Sequence, residues 1–335
     1  MIRKSVLPLA VAMMSLMGLT GCGAFGDEDP AESAAREPAD GDASAQAQHA
    51  LPYDVKPLLA PDKEYFGVAL DGAPTSLKPV DAFAKTVGKK PNLVGSYSSW
   101  GDGFNAKGAK NVFEDGSLLY VSWEPFKPGL GTIADGSQDT YIKRYAASVR
   151  ETNVPVAISF GHEMNGHWYP WGTKKQTPDN FVKAWRHIHD LFQDEGATNV
   201  IWVWSPNVVN PVPDVKLKAY WPGDAYVDWT GVVGYWTQTG AKTFDTLYGP
   251  TLRQVAGFTD KPVLISETSA EPGDRRRADV RQLLGGVEQN KDVIGFVWFN
   301  IPKRADWRIQ SSPLALAEFK RLIADEAFGF EVPKS

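Results

Sequence analysis

The stretch Val154-Pro155-Val156-Ala157-Ile158-Ser159-Phe160-Gly161-His162-Glu163-Met164-Asn165-Gly166-His167-Trp168-Tyr169-Pro170-Trp171-Gly172 decides how this chain reads. It opens on an apolar run, the pattern of a parallel strand buried on both faces. An acid stands where that run ends, and a loop dense in aromatic residues, glycine and proline follows. The same setting returns further along, where Pro262-Val263-Leu264-Ile265-Ser266 closes on Glu267.

Working outward, comparable apolar runs occupy 65–70, 92–100, 118–123, 154–161, 199–205, 229–236, 262–266 and 293–299. Several are rich in Val, Ile and aromatic residues, which suit strands. Amphipathic segments lie between most of them. Residues 138–151 carry Tyr141, Ile142, Tyr145, Ala146 and Val149 at helical spacing. Thr177-Pro178-Asp179 is a helix start, followed by Phe181, Val182, Trp185, Ile188, Leu191 and Phe192. Segments 277–288 and 313–327 have the same pattern, whereas the connection 207–228 is broken by Pro211, Pro213 and Pro222 and predicts only short helix. Alternating strand and helix units of this number and length predict an α/β fold, the (β/α)8 TIM barrel. The rival, a doubly wound open sheet, is disfavoured because no G-x-G-x-x-G follows the first strand.

The chain has 335 residues. Its first part is read as outside the fold. Arg3 and Lys4 precede a short apolar stretch interrupted by Pro8 and Ser15, the form of a secretory signal over 1–21. Leu19-Thr20-Gly21-Cys22 resembles a bacterial lipobox, which implies lipidation of Cys22, the single cysteine. Residues 22–50 then read as a lipidated, disordered acidic tether: Asp27, Glu28, Asp29, Glu32, Glu37, Asp40 and Asp42 face only Arg36. A flexible coil of that length reaches about 30 Å. The expected location is therefore extracytoplasmic, on the cell membrane. The tether holds most of the formal charge of −5, so the remaining domain, 51–335, is nearly neutral and gives no electrostatic case for a nucleic-acid partner. A monomer is expected.

On a barrel the C-terminal strand ends form the reaction face. Glu163 ends the fourth strand and Glu267 the seventh. Two carboxyl groups flanking a bond are what glycoside hydrolysis needs, one to protonate the leaving oxygen and one to attack or to activate water. The chain has 12 tryptophans. Trp100, Trp123, Trp168, Trp171, Trp204, Trp236 and Trp298 map to the same rim, where an indole face can stack on a sugar ring. Trp185, Trp202 and Trp229 lie within elements and read as core. His162-Glu163 and His167 approximate the zinc motif H-E-x-x-H, but the spacing is wrong and Gly166 and Pro170 oppose a helix, so no metal and no cofactor is expected. Glu124 also ends a strand but precedes Pro125; it reads as structural or as a sugar contact rather than a third catalytic acid. His187 and His189 read as solvent or core contacts.

His162-Glu163-Met164-Asn165-Gly166 with Trp168-Tyr169-Pro170-Trp171-Gly172 resembles the acid/base segment of glycoside hydrolase family 26, best known for β-mannanases. Ile265-Ser266-Glu267-Thr268 resembles its nucleophile strand. Tyr220-Trp221-Pro222-Gly223-Asp224, continuing to Tyr235, and Phe296-Val297-Trp298 resemble two further segments. The likeness spans roughly 60–325. It implies a retaining double displacement with Glu163 as acid/base and Glu267 as nucleophile. It also implies that Tyr235 hydrogen-bonds Glu267, that His162 supports the sugar next to the scissile bond, that Trp168 and Trp298 bound it, and that Asn165 lies at the substrate. Val233 departs from the family, many of whose members carry an acid there, which leaves sugar selection open. The implied substrate is an extracellular polysaccharide, β-1,4-mannan first, with mixed-linkage β-glucan, β-1,3-xylan or the cell's own exopolysaccharide as alternatives. A non-catalytic glycan-binding lipoprotein is the reading from a different class.

Overall fold

The computed structural model describes residues 51–334. The expectations for the signal segment 1–21, Cys22 and the acidic tether lie outside the described residues. Eight parallel strands close into a barrel in sequence order. They are β1 (Tyr65–Ala69), β2 (Leu93–Ser99), β3 (Leu118–Glu124), β4 (Val156–Phe160), β5 (Val200–Trp204), β6 (Trp229–Val233), β7 (Val263–Thr268) and β8 (Val293–Phe299). Pairing of β1 with β8, Tyr65 opposite Gly295 through Ala69 opposite Phe299, completes the ring.

Helices α1 (Lys56–Leu59), α2 (Lys78–Val87), α3 (Ala106–Glu114), α4 (Leu130–Ala134), α5 (Asp139–Thr152), α6 (Pro178–Asp194), α7 (Phe244–Ala256), α8 (Arg276–Gln289) and α9 (Pro313–Ile323) accompany the strands. The start of α6 follows its sequence signal: the Thr177 hydroxyl accepts from the Asn180 N–H at 3.2 Å, and Pro178 fills the first turn. Between β5 and β6 the proline-broken connection forms only the 3-10 turns Leu217–Tyr220 and Asp224–Tyr226. A small antiparallel hairpin, β9 (Pro302–Lys303) and β10 (Ala305–Asp306), follows β8.

Alternation along the strands sorts side chains into two cores. Tyr65, Leu93, Leu118, Tyr120, Ala157, Ile201, Trp229, Leu264 and Val297 fill the barrel interior. Phe66, Val94, Leu119, Ile158, Trp202, Ile265 and Phe296 face outward and pack under the helices. Inside, Tyr65 meets Trp229 edge-on with centroids 5.1 Å apart. Towards the C-terminal face the interior turns polar, with Ser122, Ser159, Ser205 and Ser266 buried around Tyr120, whose hydroxyl lies 3.4 Å from Ser205 Oγ. Gly231 permits this: a Cβ there would collide with the hydroxyls of both Ser205 and Ser266.

Candidate active site

Beyond β4 the chain turns instead of forming a helix. Gly161 and Glu163 both take φ of 56°, a left-handed conformation that costs a non-glycine residue energy. Backbone bonds hold it: Gly161 N–H donates to the Trp123 carbonyl at 2.9 Å and Glu163 N–H to the Ser205 carbonyl at 2.7 Å. Later in the loop, Gly172 packs against the Gly166 carbonyl so closely that no Cβ could be added. The Glu163 side chain is thereby held at the barrel mouth with 8% exposure. Trp168 Nε1 donates to Glu163 Oε2 at 2.9 Å, and Asn207 Nδ2 donates to Oε1. Burial, and then the charge of Glu267, push the Glu163 carboxyl up to about 7; the bonds from Trp168 and Asn207 oppose this.

Glu267 reaches the same mouth through an irregularity. Strict alternation would put it outward with Val263 and Ile265. The register of β7 slips against β8 between Ile265 and Thr268, and β6 slips against it between Gly231 and Val233. Such a slip re-aims a side chain. The Tyr235 hydroxyl donates to Glu267 Oε1 at 2.6 Å, and the Tyr97 hydroxyl donates to Oε2. Burial, and next the charge of Glu267, hold both phenols well above their ordinary range, so they stay protonated donors. Trp307 packs on Tyr235 at 5.1 Å, and Phe299 lies 6.3 Å from Tyr97 and 6.1 Å from Tyr235.

His162 is buried among Tyr97, Tyr169 and Trp171, and its Nδ1 has no hydrogen-bond partner. Burial lowers its pKa, which favours the neutral imidazole.

Most of the tryptophans expected to line the cleft lie elsewhere. Trp123, Trp204 and Trp298 have the outward parity of their strands and are fully buried. Trp123 stacks on Tyr145 at 4.3 Å, Trp204 bonds the Tyr220 carbonyl at 3.0 Å, and Trp298 meets Phe319 of α9 at 5.3 Å. Trp236 is buried against Tyr248 of α7. Half-buried Trp100 stacks on Trp123 at 4.7 Å and donates to Gln138. Trp171 is buried, donating to the His162 carbonyl at 2.7 Å and stacking on Tyr169 at 4.3 Å, so it braces the loop. Trp298 therefore cannot bound the sugar, and of the seven only Trp168 contacts a candidate acid. Asn165 is fully buried too; it brackets Asn207, donating to its carbonyl at 2.9 Å and accepting from its N–H at 2.8 Å.

Tyr97, Asn207, Tyr169, Phe126 and Trp307 were not singled out from the sequence. Tyr97 shares the parity of Leu93 and could have been found that way. Asn207 and Trp307 follow the ends of β5 and β8 in loops that carry no periodic signal. One carboxyl that retains its proton near neutrality, beside another held by two phenols, can divide acid and nucleophile duties.

Residues 137–268 match the model of glycosyl hydrolase family 26. The chain is 32% identical over 266 residues to "Endoglucanase H" of Acetivibrio thermocellus, covering 75% of this chain and 29% of that protein. It is 37% identical over 117 residues to "Mannan endo-1,4-beta-mannosidase A and B" of Caldalkalibacillus mannanilyticus, covering 33% of this chain and 20% of that one. Thus it spans less than a third of either relative's length. The catalytic domain of the family 26 endo-β-1,4-mannanase of Bacillus sp. JAMB-750 superposes with a TM-score of 0.63 at 18% identity, over 80% of this chain and 87% of that one. The family match includes the strands that carry both glutamates, and the superposition shows that the barrel shares the fold of that family's solved members.

Proposed function

We propose that this chain is a retaining, endo-acting β-glycosidase of an extracellular polysaccharide, with β-1,4-mannan as its main substrate. Glu163 protonates the leaving oxygen and later activates water; Glu267 attacks the anomeric carbon. The observation that carries this reading is the opposed solvation of two carboxyls at one mouth. Glu163 is buried and raised to about 7, whereas Glu267 accepts from two tyrosine hydroxyls. A second reading, a β-glucan substrate, is favoured by the relative named endoglucanase, whose match covers 75% of the chain. Val233 fits either, since it is buried and offers a sugar no polar group.

Glu267→Ala should abolish turnover of every substrate. Glu163→Ala should keep most activity on aryl glycosides with good leaving groups, and azide should rescue it with a β-glycosyl azide product. NMR of the first-formed sugar should show the β-anomer; an early α-anomer would overturn the mechanism. Product sizing on mannan, lichenan and β-1,3-xylan decides the substrate.

We further propose membrane anchoring through lipidated Cys22, supported by the lipobox-like sequence and the acidic segment after it. Metabolic labelling with a palmitate analogue should mark the native chain and not Cys22→Ser; an unlabelled native protein would overturn this.

A further inference from the structure

A third carboxylate faces the same mouth. Glu124 is the last residue of β3, paired with Ser99 of β2, and has the inward parity of Tyr120 and Ser122. Its backbone carbonyl is used by Trp100 N–H and Phe126 N–H, both at 2.9 Å. No hydrogen bond or ion pair among the described residues engages its carboxylate. That sets it apart from the buried acids that serve structure here. Glu318 is held by Arg277, Arg281 and Arg321, Asp279 by Arg275, and Asp228 by the Trp202 N–H. Glu64 also has an unbonded oxygen, but it precedes β1, at the opposite end of the barrel.

The surroundings of Glu124 are those of a sugar subsite. Phe126, 41% exposed, and Tyr169 form an aromatic wall two residues on, 6.1 Å apart. The charge of Lys303, on the hairpin after β8, acts on Glu124, and no ion pair joins them among the described residues. A sugar hydroxyl can donate to the carboxylate and accept from the ammonium.

Resting on the proposed glycosidase reading, we infer that Glu124 is a substrate-binding residue that accepts hydrogen bonds from the hydroxyls of a sugar unit bound at the mouth. It takes no part in proton transfer to the scissile bond. Burial, then the charge of Glu267, raise its carboxyl to about 7, with Glu163 contributing in the same direction. A bound hydroxyl donating to the ionised form offsets that cost.

The test compares wild type with Glu124→Gln and Glu124→Ala on the polysaccharide the wild type hydrolyses. A hydrogen bond to a charged group is worth about a tenfold to a hundredfold change in affinity. KM should rise by that factor in both variants, with kcat within about threefold of wild type and an unchanged melting temperature. Isothermal titration of oligosaccharide into Glu267→Ala with and without Glu124→Gln should show the same loss. An unchanged KM, a fall confined to kcat, or a fall in melting temperature with KM unchanged would each overturn the inference. If instead Glu163→Ala and Glu267→Ala keep full activity, the glycosidase assignment itself fails.

Discussion

Removing the Asn207 side chain should shift the pH dependence of the reaction in a fixed direction. Asn207 Nδ2 donates to Glu163 Oε1, and that bond favours the ionised carboxylate. Its loss in Asn207→Ala must therefore raise the Glu163 pKa. A hydrogen bond to a charged group is worth about 1.5–3 kcal/mol, and about 1.4 kcal/mol corresponds to one pH unit. The full effect is about one to two pH units; water entering the vacated space would return part of it, leaving about one. The substitution is otherwise mild, because Asn165 grips only the backbone of Asn207, which alanine keeps. The Glu163 carboxyl in the native protein sits at about 7. The alkaline limb of kcat/KM reports loss of the proton from the free enzyme's acid. In wild type that limb should lie near pH 7, and in Asn207→Ala near pH 8. An aryl glycoside whose leaving group needs no protonation should show the limb in neither protein. A limb that stays put or moves to lower pH in Asn207→Ala would refute the role given to this amide.

Three further outcomes follow from the geometry. Tyr235→Phe and Tyr97→Phe each remove one donor from Glu267, so each should lower kcat/KM about tenfold to a hundredfold on all substrates; an unchanged rate in both would exclude these phenols from the site. Trp298→Ala should destabilise the fold by about 3–5 kcal/mol in urea unfolding while sparing KM of the folded fraction, and Trp307→Ala should do the reverse; the opposite pattern would restore Trp298 to the cleft. Three arginines lower the Glu318 carboxyl to about 2 from its usual 4.5, with the bond from Arg281 first. A depressed folded-state value stabilises the protein fully above the unfolded value, so this support should fade as pH falls from about 4.5 through about 2, and Glu318→Gln should flatten the melting-temperature profile there.

The barrel was legible because each of its strands is an apolar run bounded by turn residues, and the predicted runs match the observed strands to within a few residues. Positions within strands were also legible in principle. Trp123, Trp204 and Trp298 share the parity of the outward residues Val121, Trp202 and Phe296, so alternation alone would have moved them from the cleft to the helix-covered face. Distance along the strand places them near the rim, but their direction places them under the helices. Glu267 is the converse case: alternation sends it outward, and only the slipped register of β7 turns it in. Its place at the end of an apolar run marks it as a candidate where alternation within the strand does not. Asn207 and Trp307 were illegible for a third reason. They act from loops whose course is set by tertiary contacts, such as the parallel bridge from Asn207 to Val233.

The division of labour proposed for the two glutamates also has a physical basis that does not rest on resemblance. Two carboxyls at one mouth repel each other when both are ionised, and that repulsion adds to burial in raising Glu163. Burial first, and then negative charge on the same residue, Glu267, raise Glu163, Glu124, Tyr97 and Tyr235. Phenols kept protonated by burial and by that charge are good donors to the Glu267 oxygens. Glu163 is enclosed instead by an indole, an amide and the aromatic loop, with little exposure to share its charge with solvent. A proton placed on Glu163 relieves both the burial cost and the repulsion. The same asymmetry suits the second half of a double displacement. In the proposed mechanism, once Glu267 is bonded to sugar its charge is gone, the repulsion that helps hold the proton on Glu163 disappears, and Glu163 is more fully ionised and so available as the base when water must be activated.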